Sequence, residues 1–312
     1  HRDLHKEYRR QRQMCIRDSN GIVGFKPTVG LVSRHGIIPI SSTQDTAGPM
    51  GRSVEIVAST LQAIAGPDQN DPATLKIPKN FNYNFLQSLK SGGIKGKRLG
   101  LLKAGNDYED AAEILERIST MINQLGGTVI EIDDQREYPA GGEYFLLLYE
   151  FKQGLEKYLS ESSTKHKSLE SLIKFNNEHA DKMMPFFKQE IFEKSLQTVG
   201  KEDEYNRALE MVERVRLEFN DLLSKYKLDA FIGLTRNPAW TINYVGGDNS
   251  AMENQMSFGN GAYAAIAGYP HLTVPLASID GLPVGVSLIG KAWSDAELLK
   301  MGYDLEKNRD LF

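Results

Sequence analysis

The spacing of hydrophobic positions changes repeatedly along this chain, and each spacing predicts its own kind of element. From Asn20 to Met50 (NGIVGFKPTVGLVSRHGIIPISSTQDTAGPM) short apolar runs are punctuated by Gly21, Gly24, Gly30, Gly36 and Gly48 and by Pro27, Pro39 and Pro49. Glycine tolerates positive φ and close backbone approach, while proline fixes φ and ends ladders. The stretch therefore reads as short buried strands joined by tight turns. Its polar cluster, Ser41 to Thr46, stands between apolar runs. It is either the hydrogen-bonding wall of a pocket or an ordered turn held by Asx and Ser/Thr bonds.

Beyond Met50 the period becomes helical. Val54, Val57, Ala58, Leu61 and Ile64 predict an amphipathic helix stopped by Gly66-Pro67, and a polar loop follows to Thr74. Lys97–Lys103 reads as a strand. Ala111, Leu115, Ile118, Ile122 and Leu125 give a helix closed by Gly126-Gly127, and Thr128–Ile132 is a second strand. Strand, helix, strand at this spacing is a βαβ unit, so part of the sheet is parallel and covered by helices.

Gly142 to Lys227 reads as a helical excursion from the sheet and not as an independent domain. Leu209, Val212, Val215, Phe219, Leu222 and Leu223 form its clearest packing stripe. His166 and His179 lie in it without a partner at metal-ligand spacing and read as solvated surface residues. Asp229–Leu234 returns to the sheet and ends in the loop Thr235–Trp240. Loops at such strand ends bind ligands in α/β sheets, so Trp240 either lines a pocket or caps the core. A small-residue helix at Gly259–Gly268 precedes strands His271–Leu276 and Val284–Ile289, which flank a turn at Asp280–Pro283. Ser294-Asp295-Ala296-Glu297 is a capping box opening the last helix.

Composition narrows the picture modestly. The chain has 312 residues, 40% hydrophobic and 25% charged, as in an ordinary globular protein long enough for one large domain or two smaller ones. A net charge of −4 makes no electrostatic case for nucleic acid or a membrane surface as partner. No apolar run approaches the roughly 20 residues of a membrane-spanning helix. Cys15 is the single cysteine, which excludes an internal disulfide framework and a thiolate-rich metal site. It falls in His1–Ser19, where six Lys/Arg stand against three Asp/Glu without an apolar face. We expect residues 1–19 to be a non-native leader spliced onto a truncated gene, with a basic arm as the alternative. HExxH, CxxC, G-x-S-x-G and P-loop motifs are all absent from the sequence, and neither His35 nor His271 sits in a triad-like pattern. No metal or cofactor is expected.

The opening stretch also carries a resemblance. Asn20-Gly21-Ile22-Val23-Gly24-Phe25-Lys26-Pro27-Thr28, Gly36-Ile37-Ile38-Pro39-Ile40-Ser41 and Gln44-Asp45-Thr46-Ala47-Gly48-Pro49-Met50 follow the order and spacing of the amidase signature family. The match continues through Asp68–Pro72, Ala267-Gly268-Tyr269-Pro270-His271-Leu272-Thr273-Val274-Pro275 and Gly281-Leu282-Pro283-Val284-Gly285. This resemblance implies an α/β fold, a mixed β-sheet flanked by helices, with residues 20–312 as a partial amidase domain truncated on its N-terminal side. It implies hydrolysis of carboxamide C–N bonds through a Ser–cis-Ser–Lys triad, an activated nucleophile beside a preorganised anion site.

The family's triad lies upstream of the Asn-Gly-Ile-Val-Gly run. Its nucleophile slot falls on Arg12, and a guanidinium cannot serve as nucleophile. Ser19 is in the wrong register, so no catalytic residue carries over and the chain as given is expected to be inactive. Gln44, Asp45, Thr46 and Trp240 carry over as substrate-shaping residues, although Asp45 equally suits a structural carboxylate accepting turn N–H groups. The implied partner is a small-molecule or peptide amide.

Two other readings stay open. One is the amide-hydrolysing (A-type) component of a tRNA-dependent amidotransferase, against which Phe258 occupies the position of that component's acidic amide-recognition residue. The other is a non-catalytic binding protein derived from the family. Compartment and oligomeric state are left open. Loss of central strands would open a gap in the sheet and leave the chain insoluble or weakly stable.

Overall fold

The computed structural model describes residues 20–103, 108–134, 136, 138–185, 188–240 and 259–312. Residues 1–19, including Arg12, Cys15 and Ser19, lie outside that set, as does Phe258. Among the described residues, β1 (Val23–Lys26), β2 (Met50–Gly51), β3 (Arg98–Leu102), β4 (Thr128–Glu131), β5 (Ala230–Leu234), β6 (His271–Ile279) and β7 (Leu282–Ile289) form one sheet. Its order is β2-β1-β6-β7-β5-β3-β4. β3 pairs in parallel with both β4 and β5, and the remaining pairs are antiparallel. The mixed sheet flanked by helices is thus present, and its seven strands form an uninterrupted ladder. The gap expected for lost central strands is not found among the described residues.

Each face of the sheet has its own core because side chains alternate along a strand. On one face Val23, Phe25, Leu99, Leu101, Ala230, Ile232, Leu272, Val274, Val286 and Leu288 pack against three helices. These are α1 (Val54–Ile64), α3 (Glu109–Gln124) and α10 (Asp295–Lys307); α2 (Phe85–Ser88) adds Phe85. On the other, Leu102, Phe231 and Ile289 meet α8 (Glu202–Lys225) and α9 (Gly261–Ala267). The Ser53 side chain accepts the Ile56 N–H and starts α1, satisfying one of the donors that a helix N-terminus leaves open. The βαβ unit is β3-α3-β4, and Ala111, Ile114, Leu115, Ile118, Met121 and Ile122 bury one stripe of α3.

The helical excursion runs from Ala140 to Lys225 as α4 (Ala140–Glu161), α5 (Leu169–Glu178), α6 (Ala180–Met183), α7 (Glu190–Leu196) and α8. Within it Leu155, Leu159 and Leu169 form a small core of their own, against Phe151 and Phe192.

Three local expectations change. The opening stretch contributes only β1 as a buried strand, and Ile37, Ile38 and Ile40 are exposed because the chain runs as a loop there. The capping box at Ser294 does not form: the Ser294 hydroxyl donates back to the Lys291 carbonyl (2.7 Å), and Asp295 is buried against Thr28. His166 and His179 are half-buried on either side of Phe175, with ring centroids 4.9 and 4.4 Å from it, so they pack against an aromatic ring instead of standing free in solvent.

Candidate active-site cleft

The polar segment is a dense set of local and long-range ties. Asp45 Oδ2 accepts the backbone N–H groups of Ile40 and Ser41, both at 2.7 Å, and the Asp45 N–H returns to the Ser41 carbonyl at 3.0 Å. Here Asp45 closes a turn, as short polar side chains do when they compete with regular structure for backbone donors. Glu150 on α4 clamps the same segment to the helical excursion. Its Oε2 accepts the Thr43 hydroxyl at 2.9 Å and the Ser41 hydroxyl, while its Oε1 accepts the Tyr205 phenol at 2.9 Å. Burial, with the adjoining Glu150 carboxylate, raises the Tyr205 phenol above its ordinary range. Arg34 braces the other side, with Nε and Nη2 each 2.8 Å from the Asp71 carboxylate and Nη1 donating to the Ser42 carbonyl. This fork holds Asp71 down at about 2.

Gln44 is buried, and the Thr46 hydroxyl oxygen is buried without a hydrogen-bond partner among the described residues. Trp240 is half-buried at the end of the loop after β5, under the Arg236 guanidinium at 5.5 Å from its ring centre.

A second polar group was hidden in the hairpin register. Thr273 pairs with Ser287 across β6 and β7, and His271 stands two residues before Thr273 on the same face. The Ser287 hydroxyl lies 2.6 Å from His271 Nε2 and donates to the Thr235 hydroxyl at 2.9 Å. A serine beside an imidazole suggests a nucleophile and its base. Yet His271, Thr273 and Ser287 are 0% exposed, so the row serves as a satisfied polar layer in the sheet and cannot meet a substrate as it stands.

A cavity among the described residues lies past the ends of β3 and β4. Its volume is about 370 Å³, and it is lined by Leu101, Leu102 and Lys103 at the end of β3, Ile132, Asp133, Asp134 and Arg136 after β4, Gly259, Asn260 and Tyr263 at the start of α9, and Phe219 and Ile289 beneath. None of Gln44, Asp45, Thr46 and Trp240 lines it. Asn260 Nδ2 donates to the Leu234 carbonyl at 2.7 Å and fixes α9 to the end of β5. The Tyr263 phenol donates to the Arg136 carbonyl at 2.9 Å and fixes the loop after β4 to α9. Arg136 forks onto Asp134 through Nε and Nη2 at 2.7 and 2.6 Å, with Tyr263, Phe219 and Phe231 rings around its guanidinium. Its Nη1 is buried and has no acceptor among the described residues. An orphaned buried donor costs about 1–3 kcal/mol and calls for an explanation.

The sequence pattern pointed to the loop after β5 by the strand-end rule. That rule applied to the loop after β4 would have found Asp133–Arg136 as well. The pairing of His271 with Ser287 had no local signal, because sixteen residues and a turn separate them.

The fold is a mixed seven-stranded sheet of the α/β class, bordered by these two polar regions. The family model for amidases matches residues 19–299, and the chain belongs to the amidase family. A protein of Arabidopsis thaliana described as a probable amidase is 34% identical over 297 residues, spanning 92% of this chain and 53% of that protein. A glutamyl-tRNA(Gln) amidotransferase component (its A-type chain) from Symbiobacterium thermophilum is 30% identical, spanning 92% of this chain and 59% of that protein. The crystal structure of native peptide amidase from Stenotrophomonas maltophilia superposes with a TM-score of 0.87 at 39% identity, over 95% of this chain and 60% of that one. The chain therefore spans between half and two thirds of the length of these relatives.

Proposed function

We propose that the protein to which this chain belongs hydrolyses carboxamides of the peptide-amide class, and that this chain forms the wall of the cleft that holds the amide. The observation that carries the reading is the superposition on peptide amidase over nearly the whole chain, at the highest identity among the relatives above. In this reading a serine attacks the amide carbonyl, and a lysine, working through a bridging cis-serine, takes the proton and returns it to the departing amine. Water then hydrolyses the acyl-enzyme. Gln44, Asp45, Thr46 and Trp240 shape the approach to the site, Asp45 by holding its turn, and none of them reacts. Residues 20–312 offer no match to the triad's three positions, so the chain as given is inactive by itself.

The amidotransferase reading is weaker. It requires an acidic residue where this sequence has Phe258. The non-catalytic reading differs in its outcome, since it leaves even the longer protein without turnover.

Ammonia release from a C-terminally amidated peptide tests all of this. The chain as given should release none. A longer form carrying the family's upstream region should release ammonia without a tRNA substrate. Turnover by the present chain that disappears on Ser19→Ala would overturn the assignment of inactivity, and silence of the longer form would favour the non-catalytic reading.

A further inference from the structure

The polar cleft segment is seated on α4 by two residues one helical turn apart, Glu150 and Gly154. Glu150 is only 4% exposed. Its Oε2 accepts the Ser41 hydroxyl, the Thr43 N–H at 3.2 Å and the Thr43 hydroxyl at 2.9 Å, and its Oε1 accepts the Tyr205 phenol at 2.9 Å. All four donors are neutral. Taking a carboxylate out of water is costly, and an apolar side chain of similar size would hold α4 against the loop if packing were all that was needed. The carboxylate adds direction, because its acceptors are satisfied together in one placement of the segment.

Gly154 makes the second half of the seat. It lies on the same face of α4 as Glu150, four residues on. A Cβ at this position would stand 2.9 Å from Pro39 Cγ, closer than real Cβ contacts come. Glycine weakens a helix relative to alanine, and here it admits the loop instead. The placement passes along the chain: Asp45 Oδ2 accepts the Ile40 and Ser41 N–H groups, so the turn carrying Gln44, Asp45 and Thr46 follows wherever Ser41 is held.

We propose that Glu150 and Gly154 are positioning residues: α4 of the helical excursion seats the segment from Pro39 to Thr46 and thereby sets how tightly the amide is held. The proposal rests on the amide-hydrolase reading for what is held, whereas the seat itself can be read without turnover.

Hydrogen exchange of the 312-residue chain and the KM of the longer form described above test it together in Glu150→Leu, Glu150→Gln and Gly154→Ala. In Glu150→Leu the Ser41 and Asp45 N–H groups should exchange at least about tenfold faster, while those of Val57 and Leu61 in α1 stay within about twofold. KM should rise about tenfold with kcat changed less than about twofold, the split expected when binding alone is lost. Glu150→Gln keeps an oxygen for Ser41 and Thr43 and can turn its amide towards the Tyr205 oxygen, so it should remain within about threefold of the wild type. Gly154→Ala leaves every hydrogen-bonding group in place and should still raise KM by about threefold or more, because the added methyl displaces Pro39.

Faster exchange spread equally over α1 and the segment would mean lost stability and not lost position, and it overturns the proposal. So do an unchanged KM in Gly154→Ala and a Glu150→Gln variant as impaired as Glu150→Leu. If Glu150→Leu does not fold, Gly154→Ala carries the same test. A longer form that releases no ammonia removes the amide reading, and exchange in the 312-residue chain then decides the seat by itself.

Discussion

At the scale of single residues, Asp71 carries the best-defined electrostatic contribution. Its carboxylate accepts Arg34 Nε, Nη2 and N–H at 2.8, 2.8 and 2.9 Å and the Ala73 N–H at 3.1 Å. Held at about 2 against an ordinary 3.8, it binds fewer protons in the native state than in the unfolded one between those values. The stabilisation is therefore complete above about pH 4 and is lost as the pH falls towards 2. Asp71→Asn should cost about 1–3 kcal/mol at pH 7 by denaturant titration, and the variant's stability should change less than the wild type's between pH 4 and pH 2. Asp45 shows the limit of local reading. Its place in a polar cluster was legible in the sequence, but whether its oxygens faced a ligand or the Ile40 and Ser41 N–H groups depended on the path of the turn.

At the scale of elements, helical and strand periods were reliable wherever one face is buried. α1, α3 and α8 lie where their stripes placed them, because burying apolar area at roughly 25 cal/mol/Å² dominates local preference. The opening stretch was less legible. Its isoleucines 37, 38 and 40 have strand-like composition, yet they lie in a loop and are exposed. The Ser294 capping box lost its two side chains to other partners, the Ser294 hydroxyl to the Lys291 carbonyl at 2.7 Å and the Glu297 carboxylate to Lys97 at 3.1 Å. Close approach of elements gives a direct test. Gly302 on α10 sits where an added Cβ would run into the Leu272 side chain on β6. Gly302→Ala, although it favours helix, should destabilise the chain by about 1–3 kcal/mol because the fully buried Leu272 side chain or α10 itself must shift, measurable as a lowered thermal midpoint.

At the scale of the whole molecule, the uninterrupted seven-stranded ladder changes the expected source of poor solubility. No missing strand within the described sheet exposes an inner edge. Exposed apolar groups include three close together in the loop, with Ile37 at 48%, Ile38 at 60% and Ile40 at 42%. Exposed apolar side chains promote association where they cluster. Ile38→Lys should leave the unfolding free energy within about 0.5 kcal/mol and raise the soluble fraction of the expressed chain, read by sedimentation of the lysate. A loss of stability on that substitution would mean that the loop is packed in solution.

What the sequence determined by itself is the set of local facts: where apolar periods begin and end, the βαβ unit, the helical excursion, and the amidase segments at Asn20–Met50 and Ala267–Gly285. These are local because period and turn chemistry act over a few residues. Tertiary structure decided which polar groups meet. It joined Ser41 and Thr43 to Glu150 and His271 to Ser287, and it set the Asp134–Arg136 fork, itself local in sequence, against the Tyr263 and Phe219 rings. The long-range contacts depend on strand register and on how helices lie across the sheet, and burial makes a partner for each polar group necessary.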